Sequence, residues 1–240
     1  MLDFAGTIIL VATIIVGINV LTGAMPLTAA QRIALSLGAG LWIGLAAALS
    51  GANLFLGTNP VGPPLIGSVI AAPLAATAVA AALSRSVRAA LLAMPLPLLI
   101  GLNIWRIGGG FFLLLAADGR LGGPFPHSAG WGDVITGVLA LPVAWLALRG
   151  GSNRLVAAWN AFGMLDLVIA VTLGVISANG SPLQLIHAGA GSAAVQVLPW
   201  SLIPTVLVPT ALIVHGVIFA QLWKYRRGGA AAGQGPVELA

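Results

Sequence analysis

Residues 95–117 read PLPLLIGLNIWRIGGGFFLLLAA. The run is apolar over a length that crosses a bilayer core, which takes about 20 residues of helix. Yet it carries an amide at Asn103 and a guanidinium at Arg106. A charge at the centre of a membrane costs about 2.5–3.5 kcal/mol on insertion scales, so such a residue faces a partner or a cavity. Pro95 and Pro97 fit the first turn of a helix, where the missing N–H is no loss. This stretch therefore predicts both a membrane span and a polar interior that other spans share.

The rest of the chain agrees. Of its 240 residues, 59% are hydrophobic and 6% charged, with a mean hydropathy of +1.07. A soluble domain carries about a quarter charged residues, so the apolar surface here calls for lipid. Six further runs of spanning length fall at 4–23, 33–56, 65–83, 131–148, 155–178 and 198–223. Glycine and proline punctuate the gaps at 23–26, 57–64, 119–126 and 180–182. The expectation is an all-α polytopic membrane protein: one seven-helix transmembrane domain over residues 1–227, followed by a disordered Ala/Gly-rich tail at 228–240. The fifth run is short for a span. Met1-Leu2-Asp3 lacks the basic region of a signal peptide, so the first run is expected to stay as a helix.

Charge sets the expected orientation. Arg32, Arg85, Arg88, Arg149, Arg154, Lys224, Arg226 and Arg227 all fall on one side of the seven spans, and Arg120 falls on the other. Basic connections stay cytoplasmic, which puts the N-terminus outside and the C-terminus inside. The net charge of +5 is spread over short connections rather than one face, so nucleic acid is not an expected partner. The expected partners are the lipid bilayer and either other membrane proteins or copies of the chain itself. Trp131 and Trp200 near one boundary and Trp223 near the other fit interfacial anchors.

Within the spans, the polar residues are few. Asn103 and Arg106 lie in the fourth run, Asn160 and Asp166 in the sixth, and His215 in the seventh, with Asp133 at the start of the fifth. Arg106 and Asp166 sit at matching depth on spans that run in the same direction, which predicts a salt bridge or a shared water cluster between them. The depths give a ladder. Asn160 and His215 lie towards the cytoplasm, Arg106 and Asp166 at the centre, and Asp133 with His127 outside. Each rung has a plain alternative: a staple fixing register for Arg106 and Asp166, a helix N-cap for Asp133, a packed neutral imidazole for His215, and interhelical glue for Asn103 and Asn160. Pro199, Pro204 and Pro209 break the last span and free carbonyls for other donors.

Several chemistries are disfavoured. Without cysteine there is no disulfide, thiolate metal site or cysteine nucleophile. The only lysine, Lys224, follows the last span, which disfavours a retinal Schiff base, and His215 has no partner at its depth for a bis-histidine haem. No protease, hydrolase or phosphate-loop motif occurs. His127 and His187 lack further ligands for a metal. No residue is expected to be catalytic or metal-binding, and no cofactor is indicated.

From Asn103 onward the chain resembles a family of uncharacterised bacterial multi-pass membrane proteins. The resemblance rests on Asn103-Ile104-Trp105-Arg106 with Gly109, Trp131-Gly132-Asp133 with Gly137, Trp159-Asn160 with Gly163 and Asp166, and Pro199, Pro204, Pro209 and His215. It implies a bacterial inner-membrane location and marks the same polar residues, with no activity attached. The expected function is binding or translocation of a small solute or proton through a polar pocket between the last four spans. In that scheme protonation of Asp166 releases Arg106, and His215 passes protons inward. The rivals are a non-catalytic subunit of a larger membrane assembly and an intramembrane lipid-modifying enzyme.

Overall fold

A computed structural model describes residues 1–232, with side chains through Lys224. It contains helices and connecting turns, without strands among the described residues. The helices are α1 (Leu2–Ala24), α2 (Ala29–Gly51), α3 (Gly62–Leu83), α4 (Arg85–Leu92), α5 (Leu96–Leu102), α6 (Gly110–Ala117), α7 (Phe125–Leu148), α8 (Asn153–Ile176) and α9 (Val208–Ala232). A 3₁₀ stretch, Asn103–Gly109, joins α5 to α6, and a π turn, Ile203–Leu207, leads into α9. Seven segments are long and apolar enough to cross a membrane, with α5 to α6 counting as one and the π turn with α9 as another. Of the tail expected to be disordered, residues 228–232 continue α9, and the rest lies outside the described residues from 233 onward.

Local chemistry explains most boundaries. Thr28 and Gln31 form a reciprocal capping box that starts α2. Pro63 and Pro64 open α3, and Ser84 accepts from the Val87 N–H to start α4. The short helix α4 carries Arg85 and Arg88 on exposed positions, so the basic connection between the third and fourth spans is itself helical.

Two expected boundaries and one expected anchor need correction. The fifth span begins at Phe125 rather than 131, because Pro124 and Pro126 pre-set the first turn instead of ending a loop. It is therefore a full 24-residue helix, and not a short one. The last span begins at Ile203, and residues 198–201 before it are turns. Trp200, expected as an interfacial anchor, is 0% exposed. Its indole N–H donates to Asp3 at 2.7 Å, and its ring lies against Gly6, where a side chain would collide with it. Trp131 and Trp223 are exposed.

The π turn has a cause in the sequence. Pro209 has no N–H to give the carbonyl of Thr205, one helical turn earlier. Trp42 on α2 supplies the donor instead, with its Nε1 3.1 Å from the Thr205 oxygen. The last span is the central one: 56% of its apolar window is buried, against 11% for α2 and for α3. Spans four to seven pack as the core, and α1 to α3 wrap one side of it.

Candidate functional site

Arg106 sits in the 3₁₀ stretch. Three residues make one turn of a 3₁₀ helix, so Asn103, Arg106 and Gly109 fall on one edge, and all three are buried. This edge packs along α7. Glycines make the approach close. A β-carbon on Gly109 would strike Asp133, and one on Gly137 would lie 2.7 Å from the Ile107 amide nitrogen.

The guanidinium then reaches three other helices. Arg106 Nε donates to Asp133 Oδ1 on α7 at 2.6 Å, and Nη2 donates to Asp166 Oδ2 on α8 at 2.5 Å. Nη1 donates to the Gly163 carbonyl at 2.9 Å and meets His215 Nε2 at 3.1 Å. Arginine only donates, so His215 Nε2 holds its lone pair towards Arg106. The other ring nitrogen, Nδ1, carries the hydrogen and donates to Asn160 Oδ1 at 2.7 Å. Asn160 in turn donates its Nδ2–H to the His215 carbonyl at 3.0 Å. This network assigns a neutral imidazole with a defined tautomer. Trp159 packs beside this layer: its ring lies 5.6 Å from that of His215, and its N–H donates to the Thr136 carbonyl at 3.1 Å.

Arg106 and Asp166 meet as the matched depths predict. Asp133 does not sit where expected. Neither an N-cap nor an outer rung, it lies two turns inside α7 because that helix starts at Phe125, and it pairs directly with Arg106. The ladder of separate levels is therefore a single cluster, with Arg106 touching Asp133, Asp166 and His215 at once. Asn103 stays outside it. Its Nδ2 donates back to Leu99 at 3.0 Å within its own span, so it is not interhelical glue, and its Oδ1 is buried without a partner. His127 and His187 are exposed. No group of three metal-ligating side chains occurs among the described residues.

The sequence reading missed the carbonyl of Gly163 as a ligand for Arg106. A β-carbon there would lie 2.7 Å from His215 Cε1 and 2.9 Å from Arg106 Nη1. Gly132 plays the same part on α7, where a side chain would collide with the Asp166 carboxylate. The signal was present as Gly163 midway between Asn160 and Asp166 on α8 and as Gly132 next to Asp133 on α7.

Two small cavities meet at this cluster. One, of about 60 Å³, runs from Phe55, Ser192 and Gln196 to Asp133. The second, of about 50 Å³, is lined by Arg106, Asp133, Trp105 and Leu10. Both share the walls Phe112, Leu167, Ile203 and Val208.

A family profile described as a domain of unknown function, DUF8737, matches residues 63–223. The chain belongs to this family. The matched region begins with α3 and holds every residue of the Arg106 cluster, while α1 and α2 precede it. No curated protein and no solved structure matches the chain.

Proposed function

We propose that this protein is a bacterial inner-membrane protein that binds a proton or small cationic solute at the Arg106 cluster and passes it across the bilayer, with its N-terminus outside and its C-terminus in the cytoplasm. The observation that carries the reading is a charge imbalance. One guanidinium faces two carboxylates, and the imidazole beside them is neutral by its hydrogen bonds. A net negative charge in a low-dielectric interior is costly unless compensated. The missing positive charge is the transported species.

The roles follow from the contacts. Asp133 is the exchange group, because it lines both cavities. Asp166 balances Arg106 from the other side. His215 holds Arg106 rather than relaying protons, since both of its ring nitrogens are engaged. Loading Asp133 weakens its hold on Arg106 Nε and shifts the guanidinium towards Asp166. The broken start of the last span is the adjoining movable part: Ile203 and Val208 bracket the π turn and wall both cavities.

The test is proton and cation flux in proteoliposomes, comparing wild type with Asp133→Asn and Asp166→Asn. Flux above empty vesicles in wild type that is lost in Asp133→Asn supports the reading. Background flux in all three removes it. The acid–base enzyme alternative is disfavoured because Arg106 stands between Asp166 and His215.

A further inference from the structure

The cavity of about 60 Å³ that ends on Asp133 has an unusual wall. Only three of its lining side chains are polar: Asp133, Ser192 and Gln196. The last two are satisfied at the far end. Ser192 Oγ donates to the Gly174 carbonyl at 2.6 Å, Gln196 Nε2 donates to Ser192 Oγ at 3.2 Å, and Gln196 Oε1 accepts from the Gly57 N–H at 2.8 Å. Asp133 differs. Its Oδ1 is taken by Arg106, while its Oδ2 accepts no hydrogen bond among the described residues. The residue is 9% exposed. Oδ2 is not among the buried polar atoms that lack a partner, which are Asn103 Oδ1 and Ser177 Oγ among the described residues, so it keeps accessible surface that an incoming donor can reach.

The remaining wall says what kind of donor fits. Phe112 and Phe125 both line the cavity, with ring centroids 5.5 Å apart and planes tilted by 56°. Leu167, Val171, Ile203 and Val208 complete it with aliphatic surface. Anions are repelled by Asp133. A hydrated or multiply coordinated metal ion needs several oxygen ligands, and the wall offers one free carboxylate oxygen. An ammonium group matches: its N–H donors suit Oδ2, its charge offsets the surplus carboxylate, and aromatic rings favour a cation nearby. Size sets the substituent. The space of about 60 Å³ beside Asp133 accommodates a chain of a few carbons.

We infer that the Asp133 cavity is a binding site for a short-chain primary alkylammonium ion, with nitrogen on Asp133 Oδ2 and the alkyl group against Phe112, Phe125 and Val171. This rests on the reading that the Arg106 cluster exchanges one positive charge, and it names the solute that competes with the proton.

The experiment is thermal unfolding of the purified full chain in nanodiscs, titrated with ethylammonium or propylammonium chloride. Sodium chloride at equal ionic strength and 1-propanol are the controls. The expected result is a saturable rise in Tm with the alkylammonium salts alone. The apparent Kd should weaken at least tenfold in Asp133→Asn and in Val171→Phe. Val171→Phe fills the cavity without touching the ion cluster, so it decides the matter if Asp133→Asn fails to fold. Equal effects of propanol and propylammonium, unchanged affinity in Val171→Phe, or no saturable shift would each overturn the inference. Proteoliposome proton flux separates the two readings. Flux without alkylammonium binding sinks this inference alone, whereas binding without any flux sinks the translocation reading and leaves the site standing.

Discussion

Arg106 Nε donates to Asp133 Oδ1 at 2.6 Å, joining the 3₁₀ stretch of the fourth span to the interior of the fifth. With Asp166 on the opposite flank of the same guanidinium, Arg106 becomes the hub of four spans, and the charge count around it is uneven. The proposed function and most of the consequences below follow from that hub.

Glycine at 163 is required by contact rather than by backbone conformation. Replacing it with alanine pushes a methyl into His215 and Arg106. Gly163→Ala should destabilise the protein by about 1–3 kcal/mol, the usual cost of overpacking, and should abolish flux. Gly216→Ala, beside His215 in sequence, meets nothing within 4 Å. It should be tolerated or slightly stabilising, by up to about 1 kcal/mol from helix propensity. Thermal unfolding of the two variants side by side checks the contrast.

The Trp42 bond to Thr205 repairs what Pro209 removes. Trp42→Phe keeps the ring and deletes the donor, leaving a carbonyl without a partner. The expected loss is about 1–3 kcal/mol. The double variant Trp42→Phe with Pro209→Ala should recover part of that loss, because the alanine N–H can bond Thr205 itself. Failure of the double variant to recover anything would argue against this role for Trp42.

At the other end, Asp3 accepts from both Arg120 and Trp200 at 2.7 Å. The Asp3–Arg120 pair is partly solvated, with side chains 54% and 31% exposed, so breaking it should cost no more than about 1 kcal/mol. Trp200→Ala empties a fully buried site and should cost about 3–5 kcal/mol. Comparison of Arg120→Gln with Trp200→Ala by unfolding measures the difference.

Orientation is testable because the chain has no cysteine of its own. Ser152 and Asp118 are exposed in connections at opposite ends of the bundle. In intact cells an impermeant maleimide should label Asp118→Cys and spare Ser152→Cys until the membrane is opened. The reverse pattern would invert the proposed topology.

The seven spans were legible in the sequence because hydropathy and length decide them with little help from tertiary contacts. The Arg106–Asp166 pair was legible for a related reason: two charges at equal depth in lipid have few other partners. The position of Asp133 was not. It depends on Pro124 and Pro126 acting as the start of a helix rather than as a turn, and that choice shifts the residue from the rim to the middle. Nor was the 3₁₀ pitch at Asn103–Gly109 visible, since helix periodicity over so few residues hardly distinguishes three from 3.6 residues per turn. The merging of separate rungs into one cluster followed from both. It was permitted by glycines at 109, 132, 137 and 163, whose importance lies in what they adjoin.

The uneven charge at Arg106 is tested most directly by the stability of three variants in nanodiscs near neutral pH: Arg106→Met, Asp133→Asn and Asp166→Asn. Removing the guanidinium strands two buried carboxylates, so Arg106→Met should lose at least the roughly 3–5 kcal/mol of a broken buried pair. Removing one carboxylate leaves a balanced pair, so Asp133→Asn should stay within about 1 kcal/mol of wild type, the scale of a single net hydrogen bond. If Asp133→Asn proves as damaging as Arg106→Met, the cluster holds no surplus charge and the account is contradicted.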